Sequence, residues 1–193
     1  MKNVKFIIIG IACICLICLG FYSFTKDRET VEKDLTEVEK IILKDLDENY
    51  PKTPREVVKL YTKINSCYYG EELSDDELDK LVDQTLLLLD EELRAENPRD
   101  QFYDSIVIEI KKSQSENITV VSTDVCDTNE VKYIDDKKGD GTVDKLAYVK
   151  ANYFVNYDGT FVYSYKEFVL RQDEDGRWKI LTFYDIEGEP LED

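Results

Sequence analysis

The chain contains no histidine. That absence removes the Ser-His-Asp and Cys-His arrangements that activate a nucleophile, and with them the commonest zinc ligand. Cysteine is scarce beyond the opening apolar run, where only Cys67 and Cys126 remain. Two cysteines are no disulfide framework, so they read either as one bridge or as two buried apolar thiols. Basic residues are outnumbered, 25 against 42 acidic, for a formal net charge of −17. Every acidic residue, and every basic one except Lys2 and Lys5, lies from Lys26 onward. Such a surface disfavours nucleic acid, whose phosphates require basic neutralisation, and disfavours lying on an anionic membrane. It suits cationic ligands, divalent metals or a basic partner, and also plain solubility.

Charge itself is missing from Phe6 to Phe24. As a helix this run would extend about 28 Å, close to the hydrocarbon thickness of a bilayer. A cleaved signal has a shorter apolar core and ends in small residues. Here the run ends in the bulky Phe21, Tyr22 and Phe24. Cys13, Cys15 and Cys18 each lack part of the Leu-small-small pattern that precedes a lipid-modified cysteine. Lipidation and cleavage stay open as alternatives, but length and flanks favour a retained anchor, with Lys2 and Lys5 inside. The expected organisation is a cytoplasmic start at 1–5 and a transmembrane anchor at 6–24. A helical stalk at 25–50, an α+β domain at 51–188 and a tail at 189–193 follow. The domain is expected to face the cell exterior.

Val31, Leu35, Val38, Ile42 and Leu46 recur at steps of four, three, four and four, one helical stripe. The prolines of "NYPKTP" end it. Thr53 then caps a second helix with Pro54 at its first position. Val57, Leu60, Tyr61, Ile64 and Tyr68 make its apolar face. Ser74 and Glu77 form a capping box before Leu78, Leu81, Val82, Leu86 and Leu89. "NPRDQFYDSIVIEIKKS" fits a further helix better than a strand.

The period then changes. "NITVVSTDVCDT" is rich in β-formers, and Asp158-Gly159 and Asp175-Gly176 mark hairpin turns between alternating segments. Helices followed by an antiparallel meander give an α+β domain with a sheet of about four strands. By parity, Val149, Ala151, Tyr153 and Val155 share a face of one strand. Phe161, Tyr163 and Tyr165 lie together on the next, and Trp178 with Ile180 on the last. A bulge near Glu167 is required if Phe168 and Leu170 are to point inward as well.

Helices leading to a sheet that ends in "DGRWKI" resemble the nuclear transport factor two-like superfamily of cone-shaped α+β domains. "YPKTPREVVKLY", "DDELDKLVDQTLLLLDEELRAENP" and "FVLRQDEDGRWKI" resemble a family of membrane-anchored bacterial proteins with no established activity. The resemblance covers roughly residues 36 to 187. It implies a fold rather than a function, since the superfamily includes enzymes, ligand binders and assembly scaffolds. It also implies that sheet-to-sheet homodimers occur.

In such a cone Tyr61, Tyr68, Tyr153, Tyr163, Tyr165 and Trp178 are the candidate ligand-binding residues, against the plainer reading that they fill the core. The superfamily's isomerases and dehydratases use an interior Asp or His. Here Glu167 is the nearest inward carboxylate, and a tyrosine–Glu167 pair is the enzymatic alternative. In "DDKKGDGTVD", Asp136, Asp140 and Asp144 have part of the spacing of a calcium loop, but Lys138 and Ala147 stand where ligands belong. A charged turn before a strand accounts for the segment equally well. No catalytic residue, cofactor or metal is assigned. The expected function is a membrane-tethered, extracytoplasmic binding or interaction domain whose partner is an envelope protein or a small molecule. A scaffold subunit of a secretion or conjugation apparatus is the alternative, and an isomerase- or dehydratase-like enzyme comes third.

Overall fold

The computed structural model describes residues 35–188. The chain divides into two units, Met1–Lys40 and Ile41–Asp193. Of the first unit, the described part opens the helix α1 (Glu37–Ile42). Thr36 and Glu39 cap it reciprocally, Glu39 N–H donating to Thr36 Oγ1 at 3.1 Å and Thr36 N–H to Glu39 Oε2 at 2.8 Å. The helix ends at Ile42 rather than running on through Leu46, because the Asp45 carboxylate accepts from the Asp47 and Glu48 N–H groups and bends the chain into a turn.

In the second unit, helices α2 (Pro54–Gly70), α3 (Asp75–Leu88), α4 (Glu91–Glu96) and α5 (Arg99–Ser115) precede strands β1 (Ile118–Val125), β2 (Lys132–Lys137), β3 (Val143–Tyr157), β4 (Thr160–Gln172) and β5 (Trp178–Asp185). Capping boxes start α2 at Thr53/Glu56 and α3 at Ser74/Glu77, satisfying N–H groups the first turn leaves unpaired. The α2 face of Val57, Leu60, Tyr61, Ile64 and Tyr68 is buried as its spacing requires.

The α+β class stands, but the expected four-stranded cone gives way to a five-stranded antiparallel sheet of order β1-β3-β4-β5, with β2 also paired to β3. β1 lies along the C-terminal half of β3 and β2 along its N-terminal half, so the two occupy one edge in succession. β2 is exposed at every position, which is why "KYIDDK" carries no inside–outside alternation. No helix among the described residues is long and apolar enough to cross a membrane, and the expected anchor at 6–24 lies outside them.

The register of β3 and β4 runs without interruption from Leu146↔Arg171 to Tyr157↔Thr160. The expected bulge near Glu167 is therefore absent, and the irregularities fall at Val120/Ser122 and Val169/Leu170 instead. With strict alternation, burying Phe168 and Leu170 turns Ser164 and Lys166 toward the helices. Phe161, Tyr163, Tyr165 and Glu167 then face the other way. Asp158 and Gly159, at φ 48° and 85°, close this hairpin in the left-handed conformations a two-residue turn needs.

One end of the inner face is packed solid. Val149, Phe168, Leu170 and Ile180 have no exposed surface, nor do Val57, Ile64, Leu81 and Leu88 of the helices. Full burial of each such side chain is worth roughly 1.5–3 kcal/mol. The other end is different. There the sheet presents Ala151 and Ser164 beside Tyr153, and α5 buries only Ile106 and Ser113 of its 17 residues. Small and polar groups facing one another across two layers leave space.

Candidate binding cavity

That space forms two cavities of about 390 Å³ and about 350 Å³ in which Asn65, Tyr69, Glu109, Tyr153 and Lys166 line both. The first, more enclosed, is walled by Tyr61, Tyr68, Phe102, Ile106 and Phe183. The second runs on toward β1, past Ile118, Val120 and Val155, to Ser164, Lys112 and Ser113. Both volumes lie within the range of small-molecule sites. Helical spacing assembles the wall. Tyr61, Asn65, Tyr68 and Tyr69 sit at i, i+4, i+7 and i+8 of α2, and Phe102, Ser105, Ile106 and Glu109 at i, i+3, i+4 and i+7 of α5.

Aromatic rings line the enclosed part among polar side chains such as Asn65, Asn97 and Ser105. The Tyr61 ring is 5.5 Å from Phe168, edge-on, and 5.9 Å from Phe183, which is itself 5.4 Å from Phe168. The Tyr68 hydroxyl is paired with Thr85 Oγ1 at 2.9 Å. The Tyr69 hydroxyl donates to Glu109 Oε2 at 2.7 Å, joining α2 to α5 at the rim. Burial first, then that carboxylate, pushes the Tyr69 hydroxyl well above its ordinary pKa, and burial does the same for Tyr61 and Tyr68. The wall therefore offers neutral hydroxyls at any physiological pH.

The Tyr153 hydroxyl is buried and without a hydrogen-bond partner, on a residue only 5% exposed. Burial pushes it up to about 12, while the nearby Asn65 amide draws it down without closing a bond of acceptable geometry. A buried polar group left unpaired costs about 1–3 kcal/mol. Glu109 forms no ion pair among the described residues, its partner being the neutral Tyr69. Lys166, by contrast, is paired with Asp185 and lies 5.9 Å from the Phe183 ring centroid.

Of the six tyrosine and tryptophan positions singled out from sequence, Tyr61, Tyr68 and Tyr153 meet in this wall. Tyr163 and Tyr165 stand on the opposite face of the sheet, stacked at 6.0 Å, with Phe154 4.8 Å from Tyr163. Trp178 is at the packed end, edge-on to Tyr133 at 5.7 Å. Glu167 is on the outer face too, accepting from the Tyr184 hydroxyl, so no interior tyrosine–Glu167 pair exists. Asp140 accepts from the N–H and hydroxyl of Thr142 and shapes the β2–β3 turn, whose Gly141 has φ 89°. Asp144 is held by Lys138 at 2.8 Å and by Arg171, while Asp136 is exposed on β2. Among the described residues no three Asp, Glu, Cys or His side chains converge as a metal site. Cys67 and Cys126 are both buried, and no disulfide joins them.

Sequence reasoning missed Asn65, Tyr69, Glu109, Ser164 and Lys166. One signal was available. The α5 stripe of Phe102, Ile106 and Ile110 is interleaved with Ser105, Glu109 and Ser113, where a packed helix would carry aliphatic residues.

A family model described as a domain of unknown function (DUF6715) matches residues 1–183. No curated protein matches the chain.

Proposed function

We propose, for a chain that belongs to the DUF6715 family of domains of unknown function, that it is a binding protein tethered at the cell membrane, its α+β domain facing the exterior and taking a small molecule between helices and sheet. The observation that carries this reading is the aromatic-walled cavity with the unpartnered Tyr153 hydroxyl inside it. A native core uses its buried polar groups, so an orphan donor beside open volume is what a missing ligand leaves behind. The tether and its orientation rest on the sequence, with an uncharged run from Phe6 to Phe24 behind Lys2 and Lys5. Binding is favoured over catalysis because histidine is absent and Glu167 points away from the interior.

A thermal-shift survey of the full chain with small-molecule panels tests the reading. A ligand at 100 times its Kd adds about 2.7 kcal/mol and raises the melting temperature by several degrees. Blocking the cavity with Asn65→Trp, at a position that lines both cavities, should abolish any such shift. A panel that moves nothing, or shifts that survive the blocked cavity, would contradict it.

A second reading has its own support. Phe161 and Tyr163 are at least half exposed on the outer face, in a row with Phe154 and Tyr165. Exposed aromatic rows fit a protein partner in the envelope. Photo-crosslinking from position 163 in intact membranes tests this: one discrete adduct supports it, and none removes it.

A further inference from the structure

We infer that the ligand of this cavity is an organic cation, a primary or secondary ammonium carried on a compact apolar body. The inference rests on the small-molecule reading above and adds its chemical class. Three observations converge. Glu109 holds a carboxylate at the rim with only the neutral Tyr69 hydroxyl as partner, so its charge is uncompensated by any ion pair among the described residues. The enclosed wall is built from aromatic rings, among them Tyr61, Phe102 and Phe183, whose faces attract cations and pack against apolar groups. The wall's open hydrogen-bonding capacity lies in the Tyr153 hydroxyl and the Asn65 amide, both able to accept from N–H.

The charges around the cavity agree. Lys166 is the cation that lines the enclosed part, and it is neutralised by Asp185. That ammonium already lies near the Phe183 ring, so the same aromatic surface seats a positive group in the free protein. Lys112 lines the neighbouring cavity and not the enclosed one. The whole chain, at net −17, concentrates cations around itself and steers them to the rim. An anionic ligand would meet Glu109 and that field; a neutral one would leave Glu109 as it is.

The test uses three near-isosteric probes on the full chain in lipid nanodiscs, titrated calorimetrically: phenethylamine, 2-phenylethanol and 3-phenylpropionate. The expected result is saturable binding of the amine, with the alcohol and the acid at least about tenfold weaker, the loss typical of a missing charge-assisted hydrogen bond. Glu109→Gln should erase most of the amine's advantage over the alcohol, with the melting temperature near wild type because the amide oxygen still accepts from the Tyr69 hydroxyl. Alcohol or acid binding as tightly as the amine, or amine binding indifferent to Glu109→Gln, overturns the cation inference and leaves the cavity reading standing. No saturable binding of any probe at millimolar concentration overturns both.

Discussion

Tyr153 of β3 and Asn65 of α2 are neighbours in the cavity wall, yet no hydrogen bond closes between them and the Tyr153 hydroxyl stays buried and unpaired. A single substitution separates what this arrangement costs from what it is for. Tyr153→Phe removes the orphan oxygen and keeps the ring. The free protein should gain about 1 kcal/mol of stability in urea denaturation, whereas ligand affinity should fall. Loss of stability with binding unchanged would mean the hydroxyl is satisfied and purely structural.

Alkaline pH should unfold the domain earlier than its charge alone explains. Tyr153 is raised from 10.0 to about 12 in the folded protein, and Tyr61, Tyr68 and Tyr69 are raised as well. A folded pKa above the unfolded one means the native state holds its proton more tightly. The corresponding stability is complete below about pH 10 and is lost as the pH climbs toward the folded value. Urea midpoints should therefore fall steeply above about pH 10, and Tyr153→Phe should flatten that fall. A pH-independent midpoint would show that these hydroxyls are not buried.

Arg171 of β4 grips Asp90 through two nitrogens, Nε to Oδ2 at 3.1 Å and Nη2 to Oδ1, and reaches Glu92 at 2.9 Å. Asp90 is only 4% exposed and also accepts from the Glu92 N–H, so it starts α4 and pins it to the sheet. Asp90→Ala leaves a guanidinium short of its closest partner and should cost about 3 kcal/mol. Arg171→Lys cannot reproduce the fork and should cost less, about 1–2 kcal/mol. Thermal unfolding of both variants checks the order; equal, near-zero losses would contradict it.

The capping boxes should behave as local devices. Thr53→Ala and Ser74→Ala each remove the side-chain acceptor of an N3 amide, Glu56 and Glu77 respectively. Each should lower stability by about 1 kcal/mol without affecting ligand binding. A drop in binding for Thr53→Ala would mean that α2 shifts as a whole when its cap is lost.

These features were not equally legible in the sequence. α2 and α3 were, because Thr53/Glu56 and Ser74/Glu77 mark their starts and their apolar stripes are unbroken. The β3–β4 turn was equally clear, since Asp158-Gly159 supplies both left-handed residues. β2 was not, because a strand exposed on both faces has no alternation to detect. The direction of Tyr163 and Tyr165 went astray for a different reason. Grouping the inner face around tyrosines demanded a bulge, whereas the burial of Phe168 and Leu170 fixes the parity of an unbroken strand and sends those tyrosines outward. Of the cavity, only Tyr61, Tyr68 and Tyr153 were legible. Asn65, Ser164 and Glu109 read individually as solvated polar positions, and only long-range packing sets them opposite one another.

Native mass spectrometry of the full chain, purified under gentle conditions, addresses the central claim most directly. The cavity account predicts one stoichiometric small-molecule adduct that is retained at low collision energy and lost in the Asn65→Trp variant. A bare chain mass under every gentle condition, identical for wild type and the blocked variant, would contradict it.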